Sequence, residues 1–422
     1  MKRFFRILLT ALALFSAGCG KQNSDKELIT FWAIGAEGEK VSGLIPQFEK
    51  ENPGIKVKVQ QIPWTAAHEK LITAYASETL PDIFQLGNTW IPEFQALNSL
   101  EPLDKYLMRD SVAPESFFPG IWDSNVIDSV LYALPWYVDT RLLFYRKDIF
   151  EKAGFNRPPE SWDELYTYAE TIKKKNLSKY PLFLPTNEWN PYIIFGIQNG
   201  STILKNNNSY GDFNGPRFRE AMRYVSKYFY NGLSPIDMTA VTNAYQAFEE
   251  GYFMMWITGP WNIQEIRTRL SPAMQDKWMT APLPGRHGEY PGVSLAGGSS
   301  LVLGKTSSKK ESAWKFIKYL TRADVQVEFF RLVTSLPSVM KAWESPELRD
   351  NKYLAAFYMQ LQHTTPTPKI PEWEQIVFAK IQQSVELLAA KKLTVDETVT
   401  KINNEANSIL EKRRWMLSQK VN

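Results

Sequence analysis

Cysteine is almost absent from this chain, which has a single one, Cys19, in 422 residues. One thiol forms no intramolecular disulfide, so the core must hold the fold alone. Long apolar runs are also missing after the N-terminus, where nothing approaches the ~20 residues of a membrane-spanning helix. The formal net charge is only +4, which argues against nucleic acid as a partner.

Motifs for catalysis and cofactor binding are missing too. The sequence has no H-E-x-x-H and no His/Cys cluster, so no metal site is predicted. It has no P-loop, and no cofactor is expected. The segment Gly292-Val-Ser294-Leu-Ala296 departs by one residue from the G-x-S-x-G of serine hydrolases. No catalytic residue is therefore assigned.

The N-terminus has the pattern of a secretory signal. Lys2, Arg3 and Arg6 precede an apolar run at 7–15, and three small residues then lead to Cys19. Nine apolar residues are too few to span a bilayer core of ~30 Å. The placement of Cys19 resembles the lipid-modified cysteine of a bacterial lipoprotein. An ordinary secretory signal with an incidental cysteine is the alternative.

This pattern predicts where the mature protein resides. Residues 1–19 form the signal peptide with lipidated Cys19, and the polar residues 20–27 form a flexible tether. Loss of the three N-terminal cations lowers the formal charge of the mature chain to +1. We expect a protein anchored by lipid to the extracytoplasmic face of the cell membrane.

The first part of the body alternates strand and helix patterns. Apolar or alternating runs at 28–34, 55–59 and 83–86 predict strands. A helical apolar face covers 41–48, in which Pro46 marks a kink or a first turn. Strand, helix and strand in alternation are typical of a parallel βαβ sheet.

The same alternation continues along the chain. Strands are predicted at 142–145 and 252–257, and the C-terminal third is mostly helical. Three helix starts carry the capping-box pattern Ser/Thr-x-x-Glu, at Ser161, Ser308 and Thr394. The chain is therefore α/β.

Ligands of open α/β sheets gather at the carboxyl ends of strands. Three predicted strands are followed there by loops, at 35–37, 87–90 and 259–261. Helix capping is an equal alternative for the polar residues of the second loop, and helix anchoring is one for its tryptophan. The ligand candidates from these loops are Ala36, Glu37, Asn88, Thr89, Trp90 and Trp261.

Aromatic residues are abundant, with 14 Trp, 19 Tyr and 24 Phe. Either the core is unusually aromatic or a cleft is lined with rings, which suit the flat faces of a sugar. Trp64, Trp162, Trp314 and Trp415 are assigned to packing or to the surface.

Six segments in order resemble the extracellular solute-binding protein family of ABC importers, in the sugar-binding branch that includes the maltose-binding proteins. The resemblance covers nearly the whole mature chain. The segments are FEKENPGIKV (48–57), LPDIFQLGNTW (80–90), YALPWYVDTRLLFYRKDIFEKAGF (132–155), PPESWDEL (158–165), AFEEGYFMMWITGPW (247–261) and GGSSLVLGKTSSKKESAWKFIKYL (297–320).

The resemblance implies a two-lobed periplasmic-binding-protein fold of type II, with discontinuous lobes and the ligand cleft between them. It implies a monomer that binds a sugar or oligosaccharide and delivers it to the permease subunits. Chain crossings are expected near 135–140, 284–293 and 337. The expected lobes are 28–137 with 292–337 (N-terminal) and 138–291 with 338–422 (C-terminal).

The resemblance also implies further ligand contacts. Asp139 would accept hydrogen bonds from vicinal sugar hydroxyls, with a salt bridge to Arg141 or Arg146 as the alternative. Trp261 matches the family's stacking tryptophan. The other candidates are Tyr137 from the same crossing as Asp139, the loop residues Asn187 and Trp189, Gly297 and Gly298, where backbone can approach a ligand closely, and Trp373, for which core packing is favoured.

Two rival functions remain open on the sequence. An exported carbohydrate-active enzyme would need two carboxylates ~5–9.5 Å apart, which Glu37, Asp82 and Asp139 could supply. A surface lipoprotein that binds a host or cell-wall polymer is the second rival. Relatives of this branch also take up glycerol-3-phosphate esters and polyols, but a phosphate would call for arginines on the three strand-end loops, and none occurs there.

Overall fold

The computed structural model of the protein describes residues 26–419. The predicted signal peptide, Cys19 and nearly all of the predicted tether therefore lie outside the described residues. Within 26–419, no helix combines the length and the apolar character needed to cross a membrane.

Sixteen strands occur in the described part of the chain, many of them only two residues long. They are β1 (Glu27–Ile34), β2 (Ile55–Ile62), β3 (Ile83–Gly87), β4 (Val126–Ile127), β5 (Val130–Leu131), β6 (Leu134–Asp139), β7 (Leu142–Arg146), β8 (Tyr180–Phe183), β9 (Leu204–Lys205), β10 (Tyr210–Gly211), β11 (Phe253–Thr258), β12 (Trp278–Ala281), β13 (Ser294–Leu295), β14 (Gly297–Leu303), β15 (Leu336–Pro337) and β16 (Thr364–Thr365).

Helices cover the sheets and fill the C-terminal region. They are α1 (Gly35–Lys40), α2 (Ile45–Glu51), α3 (Trp64–Ala76), α4 (Ile91–Ala96), α5 (Asp104–Asp110), α6 (Pro119–Asp123), α7 (Lys147–Ala153), α8 (Trp162–Lys174), α9 (Asn190–Gln198), α10 (Pro216–Tyr230), α11 (Ala244–Glu249), α12 (Trp261–Arg269), α13 (Lys310–Leu320), α14 (Ala323–Val333), α15 (Pro346–Arg349), α16 (Ala355–Leu361), α17 (Trp373–Ile376), α18 (Gln382–Ala389), α19 (Val395–Ile409) and α20 (Glu411–Gln419), with 3-10 turns at Val41–Leu44, Asn88–Trp90, Pro114–Ser116, Met238–Ala240, Pro272–Met274 and Met340–Glu344 and a π-helical turn at Val377–Ile381.

The first sheet has six strands in the order β15-β6-β14-β3-β1-β2. Strand β1 runs parallel to β2 and to β3, as the alternation of strands and helices predicts. Strand β14 runs antiparallel to both β3 and β6. The complete sheet is therefore mixed, because a segment from late in the chain is inserted between two early strands.

The second sheet has four strands in the order β12-β7-β11-β8. Strands β8 and β11 are parallel, whereas β7 is antiparallel to β11 and to β12. Only Thr140 and Arg141 separate β6 of the first sheet from β7 of the second. The chain returns to the first sheet at β14, and it leaves again after β15. The predicted lobe boundaries stay a prediction.

Local sequence signals explain most element boundaries. Pro46 occupies the first turn of α2, after a 3-10 turn, as one of its two predicted roles. The Ser161 hydroxyl accepts a bond from the Glu164 N–H at 3.2 Å, and Thr394 forms a complete capping box with Glu397. The Ser308 capping box is wrong, because α13 begins after Lys309 without a side-chain cap.

Candidate ligand-binding cleft

A cleft with a cavity volume of about 400 Å³ lies between the ends of the two sheets. One side comes from the loop after β3 and from the facing ends of β6 and β14. The other comes from the loop after β8 and from the C-terminal helices. The lining residues are Trp64, Gly87, Asn88, Thr89, Trp90, Asp139, Arg141, Asn187, Glu188, Trp189, Asn190, Leu295, Ala296, Gly297, Gly298, Thr367, Glu374, Phe378 and Gln382.

The structure brings most of the predicted ligand candidates to this cavity. They reach it because strands of both sheets end there, at β3, β6 and β8, and because β14 begins there. The predicted residues that line the cavity are Asn88, Thr89, Trp90, Asp139, Asn187, Trp189, Gly297 and Gly298.

Five predicted candidates do not line the cavity. Ala36 is exposed in the first turn of α1. The Glu37 carboxylate accepts a bond from the Ser335 hydroxyl at 2.7 Å. The buried Tyr137 hydroxyl accepts a bond from the Gln85 amide at 3.0 Å. Burial raises the pKa of Glu37, with a smaller contribution from the nearby charge of Asp139.

The two remaining tryptophan candidates differ sharply in exposure. Trp261 is 45% exposed, and the Arg141 guanidinium lies over its ring at 4.6 Å. Trp261 therefore lies next to the cavity, since it contacts Arg141, which lines the cavity. Trp373 is 0% exposed and packs edge-on against Trp189, with ring centroids 5.8 Å apart. The structure thus does not bring Trp373 into the cleft but places it in the core, where it supports Trp189.

Aromatic faces occur on both sides of the cavity. Trp64 is 42% exposed and meets Trp90 edge-to-face at 5.7 Å. Phe378 is 55% exposed and lies edge-on to Trp189 at 6.4 Å. The assignment of Trp64 to packing or surface therefore misses its place in the cleft. Its position just after β2, at the start of α3, is a strand-end signal that could have identified it.

Asp139 and Arg141 form an ion pair at the crossing between the sheets. The guanidinium donates to the Asp139 carboxylate at 3.0 Å and to the Asn190 side-chain oxygen at 3.3 Å. The salt-bridge alternative for Asp139 is thus realised with Arg141, whereas Arg146 pairs with Asp148. Burial still raises the pKa of Asp139, against the opposing effect of Arg141.

Glu188 is a cleft carboxylate with a buried oxygen that has free bonding capacity. Its Oε2 atom is buried and has no hydrogen-bond partner among residues 26–419, and the same holds for the Nε atom of Arg141. Burial raises the Glu188 pKa, while the positive charge of Arg141 lowers it to a lesser extent. The predicted ligand candidates include both neighbours of Glu188 in this segment but not Glu188 itself. Its position in the same strand-end loop could have identified it.

One of the predicted polar contacts, Asn88, already has partners within the protein. The Asn88 amide donates to the Gly297 carbonyl at 3.3 Å and accepts from the Ser300 hydroxyl at 3.1 Å. Burial raises the pKa of Glu374, while the nearby Thr89 side chain lowers it to a lesser extent. Glu374 belongs to α17 and Thr89 follows β3, so the two sides of the cavity approach each other here.

The charge of the cavity lining is negative. Asp139, Glu188 and Glu374 contribute carboxylates, and Arg141 contributes the one fixed positive charge. Over residues 26–419, no group of three or more His, Cys, Asp or Glu side chains could hold a metal ion. The lining offers apolar ring faces together with amides and carboxylates, a combination suited to an uncharged ligand rich in hydroxyls.

The chain is similar to several solved structures and characterised proteins. The structure of the sugar-binding protein MalE from Xanthomonas citri is 42% identical, with a TM-score of 0.89, and the match covers 93% of this chain and 99% of that one. A solute-binding protein of an ABC transporter from Thermotoga lettingae, bound to α-D-tagatose, is 27% identical, with a TM-score of 0.74 and coverage of 91% and 100%.

Among characterised proteins, the diacetylchitobiose-binding protein DasA of Streptomyces coelicolor is 25% identical over 85% of this chain and 87% of its own length. The structural matches confirm the expected two-lobed α/β fold. The sequence profile of the bacterial extracellular solute-binding proteins matches residues 32–327. The resemblance is thereby confirmed, and this chain belongs to the family of bacterial extracellular solute-binding proteins.

Proposed function

We propose that this protein captures a sugar or oligosaccharide in the cleft and delivers it to the membrane subunits of an ABC importer. The observation that carries the proposal is the cavity between the two sheets, with ring faces on both sides and the unpartnered carboxylate oxygen of Glu188. Ring faces pack on the apolar faces of a sugar, and a free carboxylate oxygen accepts bonds from its hydroxyls.

The electrostatics of the cavity favour a neutral ligand over a phosphate ester. Arg141 is the cavity's fixed cation, and it is already paired with Asp139. The other two carboxylates, Glu188 and Glu374, would repel a phosphate. A glycerol-3-phosphate ester is therefore the less favoured ligand, whereas an uncharged polyol stays compatible with this lining.

The names of similar proteins point the same way. They include the sugar-binding MalE, the diacetylchitobiose-binding DasA and a maltotriose-binding protein of Pyrococcus abyssi, which is 25% identical over 76% of this chain. The named ligands include a disaccharide and a trisaccharide. The similarity therefore supports a sugar or oligosaccharide as the ligand, without selecting one sugar.

A thermal-shift screen of residues 26–422 tests the proposal. The panel contains maltose, maltotriose, N,N′-diacetylchitobiose and α-D-tagatose, with glycerol-3-phosphate as the charged comparison. A ligand at 100 times its Kd stabilises the folded protein by ~2.7 kcal/mol, which a melting curve resolves. A shift with at least one sugar, reduced in Glu188→Gln at the same sugar concentration, is the expected result. No shift with any sugar across a wider panel would contradict the proposal.

Binding should close the cleft. A ligand shifts the open–closed balance only by what it gains from contacts with both lobes in the closed form. Asp139 on the first sheet and Trp261 on the second are the pair we expect to approach each other. Small-angle scattering should show a smaller radius of gyration with saturating sugar. An unchanged radius would contradict closure and would indicate that the protein binds the sugar as a rigid body.

The rival functions give different results in the same assays. We propose that the protein is not an enzyme, since its family and structural neighbours are binding proteins. Prolonged incubation with the panel oligosaccharides followed by chromatography should return them intact, and released fragments would indicate a carbohydrate-active enzyme. Binding to a cell-wall or host polymer, without binding to short sugars, would indicate the surface-lipoprotein rival.

We further propose that lipid on Cys19 anchors the protein, as a monomer, to the extracytoplasmic face of the membrane. One acyl chain gives only marginal membrane binding and two hold stably. Replacing Cys19 by Ser should therefore release the protein from the membrane fraction. A variant that still sediments with membranes after a high-salt wash would contradict the anchor, and sedimentation analysis of the released form tests the monomer.

A further inference from the structure

A polar side chain lies in the middle of the first sheet, two residues before Gly87, which lines the cleft. Gln85 is the third residue of β3, in a segment whose five residues are all buried, and its own exposure is 0%. Burying an amide costs free energy unless its hydrogen bonds are satisfied. A glutamine at this site therefore needs a structural or functional reason.

The Gln85 amide is fully bonded, and its partners lie on three other strands. Its oxygen accepts from the Ile34 N–H at the end of β1, at 2.7 Å. Its nitrogen donates to the Tyr137 hydroxyl on β6 at 3.0 Å and to the Ser299 hydroxyl on β14 at 3.1 Å. One side chain thus joins the cleft-facing ends of four strands.

These bonds lie where the regular ladder of the sheet is interrupted. The parallel pairing of β1 with β3 covers only Phe31 and Trp32 on β1, so the bond to Ile34 extends the contact beyond it. The register of β14 against β6 shifts between Ser299 and Ser300. A register shift of this kind bends a strand and re-aims its side chains. The Gln85 amide therefore fixes the relative positions of β1, β3, β6 and β14 at points where backbone hydrogen bonds between the strands are missing or irregular.

Two of the three partners of Gln85 lead directly into segments that line the cleft. Tyr137 stands two residues before Asp139, whereas Ile34 immediately precedes α1, which carries Glu37. Ser299 follows the two glycines that line the cavity. A shift in the Gln85 amide would therefore move two separate parts of the cleft, and the start of α1, together.

We propose that Gln85 is a positioning residue for ligand binding, which sets the relative places of these segments without touching the ligand. The inference rests on the proposed function, since it concerns the geometry of that same cleft. Binding constellations need positions held to within about 0.5 Å by bonded supporting residues. A role limited to stability is the alternative, and a second buried glutamine allows the two to be separated.

Gln360 provides the matched control. It is also 0% exposed, its oxygen accepts from the Leu283 N–H at 2.8 Å, and its nitrogen donates to the Gly292 carbonyl at 2.8 Å. It does not line the cavity. Gln85→Met and Gln360→Met therefore remove similar bonded amides and preserve most of the side-chain volume.

The experiment measures three quantities for both variants of the chain: the melting temperature, the Kd for each sugar of the panel by calorimetry, and hydrogen–deuterium exchange without sugar. Both substitutions should lower the melting temperature. Only Gln85→Met should raise the Kd, by about tenfold or more, which corresponds to ~1.4 kcal/mol, and speed exchange in peptides covering 35–40 and 137–141.

Two outcomes would overturn the inference: Gln85→Met with a wild-type Kd and wild-type exchange in those peptides, or an equal loss of affinity in Gln360→Met. If Gln85→Met does not fold, Tyr137→Phe removes one of the same bonds and should show a smaller loss of affinity with the same exchange signature. If Tyr137→Phe has a wild-type Kd and wild-type exchange in those peptides, the inference is contradicted. If the wild type binds no sugar, the proposed function fails. Faster exchange in the same peptides of Gln85→Met would then still show that Gln85 positions these segments, and unchanged exchange would contradict it.

Discussion

The two walls of the cleft use their polar groups differently. On the wall from the first sheet, the side chains of Asn88 and Asp139 are bonded within the protein. On the wall from the second sheet and the C-terminal helices, Glu188 keeps an unpartnered oxygen in the described structure and Phe378 is 55% exposed, while Trp261 borders the cavity through Arg141. The first wall is therefore preformed, and the second carries the free bonding capacity.

This difference explains how one cavity combines rigidity with affinity. Groups already bonded within the protein gain little from a ligand, but they hold the surface in shape. Groups left unbonded gain most when a ligand arrives. Substitutions on the second wall should therefore act on binding, and those on the first wall should act mainly on stability.

Glu188→Gln should have the largest effect on binding. The substitution keeps the shape but removes the charge from the carboxylate with a free oxygen. A hydrogen bond to a charged group contributes ~1.5–3 kcal/mol, so the Kd for the best sugar of the panel should rise roughly 10- to 150-fold. Calorimetric titration measures it, with Glu170→Gln on α8 as control. An unchanged Kd would show that Glu188 does not bond the ligand.

Trp261→Ala should follow in size. The ring is half exposed and Arg141 covers one face, so a sugar can pack on what remains. Affinity should fall by ~1–3 kcal/mol, on the scale of aromatic stacking on a planar ring, and the melting temperature should change little. Trp415→Ala, at another exposed tryptophan, is the control. A collapsed melting temperature would instead assign Trp261 to structural support.

Asn88→Ala tests the first wall. The substitution leaves the Gly297 carbonyl and the Ser300 hydroxyl without their partner, so the free energy of unfolding should fall by about 1–3 kcal/mol. The Kd should rise less than in Glu188→Gln. Chemical denaturation and calorimetry measure the two quantities, with the buried Asn125→Ala as control. Full stability together with a large loss of affinity would show that Asn88 bonds the ligand directly.

The smallest expected effect concerns pH. Burial raises the pKa of Glu188 above its ordinary value of 4.5, so the folded protein holds this proton more tightly than the unfolded chain does. Its stabilising contribution is complete below pH 4.5 and is lost as the pH rises through the raised pKa. Over this interval the melting temperature of the sugar-free wild type should fall more steeply than that of Glu188→Gln. Parallel curves would contradict a raised pKa.

Short-range patterns predict the elements but not all of their neighbours. The runs at 28–34, 55–59 and 83–86 become β1, β2 and β3 because their periodicity is local. The insertion of β14 between β3 and β6 depends on contacts across some 200 residues, which no local pattern encodes. Ser308 fails as a cap for a similar reason, since the preceding Ser307 bonds both the Lys309 N–H and Asp82.

The cleft residues that follow the ends of strands can be predicted from the sequence, whereas the others cannot. Thr89, Trp90 and Trp189 follow strands, so topology alone brings them to the cavity. Glu374 and Phe378 reach it from C-terminal helices, whose packing is set by tertiary contacts. Among tryptophans, composition cannot tell the half-exposed Trp64 from the buried Trp373, because burial depends on what packs against each ring.

The placement of β14 also has a consequence for the order in which the protein can fold. All four strands of the second sheet lie between residues 142 and 281, whereas the first sheet lacks an internal strand until residues 297–303 are present. A chain that emerges N-terminus first therefore has the later sheet available before the earlier one can close. Until then β3 and β6 have unpaired edges, which are sites for aggregation. The early third of the polypeptide thus depends most on being kept unfolded or shielded during export.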